Sequence, residues 1–500
     1  MRFKLKARML ALIVAVLMLL AACGGNSSGG ATTAAAKAAE TTAAATTTKA
    51  AETTKAAETT AAKKEGAPSP TGTVVFWGMN PEAVGSGNAE MIKALEDMYP
   101  GLKVDAQTTP ATEGYSTQDV TKLLASIAAG TPPDVTTLDR FTVSQFAARG
   151  ALQPIDPFLK SFNVDINEYA AYTVAEVTFD GRIWAVPNGT DTRVLYWNKD
   201  MFKEAGLDPE VPPKTWDELL SFAEKLTILD GEEIKQIGFI PNFGNVWLYM
   251  YGFQNGATFL SADGRKAMLN DPKLIEAVEF MVKGYDMYPG GAAAVNAFQS
   301  SFLGEGDSPF IQKQVAMIID GHWAMERYAR YAPNLNYGIS LPPTPTGNNP
   351  ITWAGGWSWA IPAGAKNPEG GFAAARFFTS DGIFVQIPAI IKYRLDEDPD
   401  SVYLPPLHCI DWIKQKLLKE YVDDADINPI IKTNFKIGAD AMKVALYRPV
   451  TPVGEILWTE HVKMAEKSIY HELTPKEAAE AANAVVQAEL DKFWEEYDKK

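Results

Sequence analysis

The chain has 500 residues, of which 46% are hydrophobic, 11% aromatic and 21% charged, enough apolar content for sizeable cores and too much for a disordered chain. Lys and Arg total 46 against 61 Asp and Glu, a net charge of −15, so phosphate backbones and anionic lipid surfaces would repel it and nucleic-acid binding is not expected. Two cysteines, Cys23 and Cys409, rule out a disulfide framework, and four histidines with no HExxH or H-x3-H spacing argue against a histidine zinc site.

The first predicted element is a targeting segment. Arg2, Lys4, Lys6 and Arg8 form a basic start, and residues 9–22 then run apolar without a charge. That run is shorter than the roughly 20 residues of a spanning helix. It ends in Leu20-Ala21-Ala22-Cys23-Gly24, which resembles a bacterial lipobox, so residues 1–22 are expected to be a lipoprotein signal peptide and Cys23 the lipidated residue. Residues 23–72 follow as a tether: the Lys-Ala-Ala-Glu-Thr-Thr unit starts at Lys37, Lys49 and Lys55, and no Leu, Ile, Val or aromatic residue offers a core.

From residue 73 strands and helices alternate. Residues 73–77 read as a buried strand, Met91, Ile92, Leu95 and Met98 as one helix face, and 102–106 as a second strand. Thr117 is placed to cap a helix through Val120, Leu123, Leu124 and Ile127, and 134–138 is a third strand. This order predicts α/β structure with helices wrapped on a parallel sheet, where ligands sit at the carboxyl ends of strands, beside residues 78–80 and 139–140. Further on, Thr215-Trp-Asp-Glu218 is a capping box, 315–320, 337–341 and 355–362 read as strands, Asn367-Pro368 starts a helix, and Thr474 caps the last one.

Chemistry is carried by aromatics rather than by catalytic motifs. Of 12 tryptophans, Trp216 and Trp494 lie on apolar helix faces and belong to the core, whereas Trp323, Trp353 and Trp357 stand at strand ends among glycines. There a flat ring can pack against the C–H face of a sugar while Asp, Asn and Arg pair with its hydroxyls. Gly85-Ser86-Gly87 lacks the lysine of a phosphate loop, no Gly-x-Ser-x-Gly elbow is present, and Cys409 reads as an inert buried thiol.

The segment from Asp134 through Asp139-Arg140-Phe141 to Gln145, Arg149-Gly150 and Pro154 resembles the sugar-binding segment of maltose-binding proteins. The similarity continues in order through Asp180-Gly181, Ala185-Val186-Pro187, Tyr196-Trp197-Asn198-Lys199-Asp200, Pro213-Lys214-Thr215-Trp216, Val315 to Trp323, Asn336-Tyr337-Gly338, Gly355 to Pro362 and Arg448-Pro449. On this ordered set the chain is identified as a member of the family 1 extracellular solute-binding lipoproteins of ABC importers, which usually take sugars. The resemblance implies a two-lobed periplasmic-binding-protein fold of type II, each lobe a mostly parallel sheet flanked by helices, joined by a hinge of crossover segments. Residues 73–188 plus about 354–400 would form lobe 1, and 189–353 plus about 401–500 lobe 2.

Family roles then fall on Asp139 and Arg140 as the pair gripping hydroxyls, on Asp191 at the hinge side, on Trp323 as a stacking ring and on Gly356-Trp357 as cleft lining. Asn80, Trp247, Trp353 and Arg448 complete the implied ligand-binding set. Met79 and the shorter Asp191 depart from maltose binders, so the pocket need not take maltose. No cofactor, metal or catalytic residue is implied. The implied partners are a carbohydrate, the permease subunits of an ABC importer and the membrane, reached through Cys23; the implied state is a monomer on the outer face of the bacterial cytoplasmic membrane. Two other readings stay open: a receptor for a non-sugar solute, and a lipid-anchored glycosidase using two carboxylates in the same cleft.

Overall fold

The structure, a computed structural model, describes residues 66–108, 118–300 and 308–499. The signal segment, Cys23, the tether up to residue 65 and the Thr117 cap lie outside the described residues. Three predicted helix starts carry the expected caps. The Thr215 hydroxyl accepts the Glu218 N–H at 3.0 Å, the Thr474 hydroxyl accepts the Glu477 N–H at 3.2 Å, and both glutamates reach back to complete capping boxes. The Asn367 side chain accepts the Gly370 N–H at 3.1 Å, with Pro368 opening that helix. Each such cap stabilises its helix by about 1 kcal/mol. Among the described residues no helix is long and apolar enough to cross a membrane.

Two five-stranded sheets organise the molecule. The first runs Leu102–Gln107, Gly72–Trp77, Val135–Asp139, Trp357–Ala360, Ala185–Asn188, and the second Tyr337–Ser340, Arg193–Asn198, Val315–Gly321, Glu233–Gly244, Ile228–Asp230. In the first, Gly72–Trp77 is parallel to both neighbours, but Trp357–Ala360 is antiparallel to both of its own. In the second, only Val315–Gly321 with Glu233–Gly244 is parallel. The two-lobed α/β architecture holds, and the expectation of mostly parallel sheets is corrected to mixed ones. The cause is the crossover. Trp357 enters the first sheet opposite Asp139, at the end where the parallel strands finish, so its strand must run back against them. Arg193 enters the second sheet opposite Gly321 in the same way.

Each sheet has its own core. Val74, Phe76, Leu95, Val135, Phe372, Phe378 and Ile383 pack together in the first lobe, joined by Cys409, Ile410, Ile413 and Leu417. This core therefore takes in chain beyond the expected switch near residue 400. Leu195, Phe239, Phe259 and Met281 centre the second lobe, closed by Leu457 and Met464 of the helix Gly454–Ile469 and by Val486 and Leu490 of Pro475–Tyr497. Trp216 belongs to this core, stacked on Phe280 at 4.3 Å, and Trp494, half-buried, packs against it with the Arg265 guanidinium 4.3 Å from its ring. A third cluster, with Tyr196, Phe310 and Tyr328, covers the opposite face of the second sheet. Cys409 is buried and donates to the Pro187 carbonyl at 3.3 Å; burial pushes its thiol up to about 11, which keeps it protonated and unreactive.

Candidate functional site

Where the chain crosses between sheets, six charged side chains meet. Arg140, the first residue of the helix Arg140–Ala148, is fully buried. Its Nε donates to Glu176 at 2.8 Å, Nη1 to the Gly189 carbonyl at 2.7 Å, and Nη2 to the Gly355 carbonyl. Glu176 also lies 3.3 Å from Arg448, whose guanidinium makes a two-pronged contact with Asp139. Beside them Arg193 pairs with Asp191 and donates to Asn245. The Asp191 carboxyl is pushed up by burial, yet Arg193, the Gly355 N–H at 2.5 Å and Arg140 together hold it below the usual carboxylate value. Three acids and three arginines thus compensate each other where a lone charge would be expensive. Gly356 is required here: its φ is 137°, and a Cβ would stand 2.4 Å from Arg140 Nη1.

Above this charged floor opens a cleft of about 560 Å³ lined from both lobes. Trp357 opens its strand in the first lobe, opposite Asp139 and Asn188. Trp323 follows the strand Val315–Gly321 in the second, its ring laid so closely over Gly321 that a Cβ there would be 2.2 Å from it. Asp191 and Gly356 lie between them. His322 is buried; burial pushes its imidazolium down to about 4, and its Nε2 accepts the Leu407 N–H at 3.4 Å, so a neutral ring carries its proton on Nδ1. At the rim, Glu326 of the second lobe pairs with Arg394 of the first.

Four of the sequence candidates, Asp191, Trp323, Gly356 and Trp357, therefore share one cleft. Asn80 lines an adjoining cavity of about 390 Å³ in the first lobe, which meets the cleft at Asn188; its Oδ1 accepts the Glu82 N–H at 2.9 Å. The remaining five do not line the cleft. Arg140, Arg448 and Trp353 are buried in the hinge, with the Trp353 ring 3.9 Å from the Arg193 guanidinium and 5.6 Å from that of Arg448. Asp139 is held by Arg448, and Trp247 packs edge-on to Trp458 at 5.2 Å. Sequence reasoning passed over His322, Glu326, Arg327, Arg330 and Arg394, all in the cleft lining. The first four were within reach: they follow directly on a strand whose carboxyl end faces the cleft.

The chain matches the family model of bacterial extracellular solute-binding proteins over residues 80–383. It is 28% identical over 292 residues to the maltooligosaccharide ABC transporter solute-binding lipoprotein of Streptococcus pneumoniae, covering 56% of this chain and 62% of that one. It is 26% identical over 286 residues to the sn-glycerol-3-phosphate-binding periplasmic protein of Shigella dysenteriae, covering 54% and 61%. The chain thus spans about three fifths of the length of the curated relatives it matches. Among solved structures, CpMnBP1 with mannobiose bound superposes with a TM-score of 0.67 at 26% identity, over 82% of this chain and 98% of that one. An ABC transporter solute-binding protein from Thermotoga lettingae bound with α-D-tagatose gives 0.62 at 26%, over 84% and 100%. A family match across more than half of the chain, on a two-lobed fold with a lined cleft, assigns this chain to the bacterial extracellular solute-binding protein family.

Proposed function

We propose that the protein is an extracytoplasmic receptor, not an enzyme, that captures a carbohydrate between its lobes and delivers it to the permease of an ABC importer. The observation that carries this reading is a tryptophan from each lobe, Trp323 and Trp357, lining one cleft. Flat rings in the cleft lining suit the C–H faces of a sugar, and contacts to both lobes favour the closed form by the ligand's differential affinity for it. Asp191, Gly356 and, from the adjoining cavity, Asn80 supply the polar side of that contact. Relatives named for maltooligosaccharide and mannobiose support the substrate class, and the one named for glycerol 3-phosphate supports a non-sugar solute as the second reading. In this scheme residues 73–188 and the segment from about 354 move as lobe 1, and 189–353 with the C-terminal helices as lobe 2.

The receptor is further proposed to be a monomeric lipoprotein, cleaved after residue 22 and held at the outer face of the cytoplasmic membrane through Cys23, with the Ala- and Thr-rich tether as leash. The basic, apolar and small-residue zones before Cys23 support the anchor. Mass spectrometry of membrane-extracted protein should find diacylglycerol on Cys23; an unmodified Cys23 removes the anchor from the scheme.

Receptor and closure are tested together. Calorimetry against an oligosaccharide panel should find a binder that is recovered unchanged, and small-angle scattering at saturation should show a smaller radius of gyration. Turnover of the sugar would make the protein an enzyme, and binding without compaction would remove lobe closure.

A further inference from the structure

The lining of the cleft runs against the charge of the molecule. The chain as a whole is acidic, at −15, yet Arg327, Arg330 and Arg394 line the cleft against two carboxylates, Asp191 and Glu326. The charge of both carboxylates is already paired, Asp191 with Arg193 and Glu326 with Arg394, each through one oxygen. Arg327 and Arg330 lie one turn apart on the helix Ala324–Tyr331, directly after Trp323. Among the described residues neither has a carboxylate within salt-bridge distance, and the Arg330 guanidinium lies 5.0 Å from the Tyr331 ring. Arg327 is half-buried and Arg330 exposed. Asp320, on which the charge of Arg327 acts, is buried, accepts the Gly321 N–H at 2.7 Å, and has its carboxyl pushed up by burial.

A neutral sugar brings hydroxyls but no charge, so it would leave a surplus of guanidinium charge in the wall uncompensated. Here each lining carboxylate already has an arginine partner, and among the described residues two guanidiniums have no carboxylate partner. Such a wall is complementary to a ligand that brings negative charge and acceptor oxygens of its own. We infer that the solute is an acidic carbohydrate, one whose carboxylate, phosphate or sulfate is engaged by Arg327 and Arg330 while Trp323 and Trp357 pack on its rings. The inference rests on the carbohydrate-receptor reading of the same cleft. Glu326–Arg394 then sits beside the anionic group as a rim contact between the lobes.

The experiment is calorimetry on the full chain with matched sets: neutral oligosaccharides, the same backbones built from uronic acids, and their phosphate and sulfate monoesters. The anionic member of a set should bind at least about tenfold more tightly than its neutral counterpart, since charge-assisted contacts are roughly twice as strong as neutral ones. The ratio should shrink as salt is raised, because the arginines are partly exposed. Which anionic arm leads identifies the group. Arg327→Gln with Arg330→Gln should bring the ratio to about one, with an unliganded melting temperature close to that of the parent, because neither side chain is in a core. Equal or tighter binding of the neutral member, or a preference that survives the double variant, overturns the acidic-ligand inference and leaves the carbohydrate receptor standing. Failure of every carbohydrate, with binding of an unrelated solute, overturns both.

Discussion

Replacing Trp323 with alanine is expected to weaken binding of the solute by about 100-fold, the equivalent of about 2.8 kcal/mol, which lies within the range for a ring that fills the centre of a contact. The loss should come without unfolding. Trp323 is half-buried and lies outside the second lobe's packed core; its ring rests on the Gly321 backbone, with the Arg193 guanidinium 5.2 Å from it and itself held by Asp191 and Asn245. Its edge-on neighbour His322, at 5.7 Å, is separately held by the Leu407 N–H and stays in place. Calorimetry and a melting curve on Trp323→Ala read the two effects independently. A variant that melts many degrees lower but binds with parental affinity would show that the ring supports the fold and not the ligand.

The second large effect is expected at Glu176. Glu176→Gln keeps the shape of the side chain but removes the anion that lies 2.8 Å from Arg140 and 3.3 Å from Arg448. All three side chains are almost completely withdrawn from solvent, so Arg140 would lose its ion-pair partner and keep only the Gly189 and Gly355 carbonyls as acceptors, while Arg448 would keep Asp139. Breaking a buried pair from one side costs about 3–5 kcal/mol, because the stranded charge has no water to turn to. Urea unfolding should show this loss, while the surface pair Lys93–Asp97, with both partners largely exposed, should give no more than about 0.5 kcal/mol when it is broken. A Glu176→Gln loss as small as the surface one would mean that the network is not electrostatically coupled. The same variant reports on the hinge: Arg140 holds the Gly189 and Gly355 carbonyls, one on each crossover, so a loosened guanidinium should also alter the angle between the lobes.

Much of the architecture was legible from local patterns. The helix at Trp216 starts where Thr215 and Glu218 stand three apart, the strand Gly72–Trp77 lies where β-branched and aromatic residues run together, and Val315–Gly321 is an unbroken buried run as its apolar sequence predicts. These features depend on neighbours within a few positions, so the linear order contains their cause. The ordered family blocks extend this to the two-lobed plan. Strand direction was not legible, because it depends on the end from which the chain re-enters a sheet after a crossover, and that is a property of the whole path.

The candidate site divides the same way. Sequence by itself determined the acidic body, the apolar patterning of the elements and the placing of Trp323 and Trp357 at strand ends, where the fold opens a cleft. Tertiary structure alone decided what Asp139 and Arg140 do. Read in line they are an acid–base pair at a strand end, and the family resemblance implies that they grip sugar hydroxyls. In the fold Arg140 finds Glu176 36 residues on and the Gly355 carbonyl 215 residues on, while Asp139 finds Arg448 309 residues on. A guanidinium surrounded by that many acceptors is more favourably placed in the hinge than in the cleft. The arginines left in the cleft lining without a carboxylate partner among the described residues are Arg327 and Arg330, on the helix after Trp323.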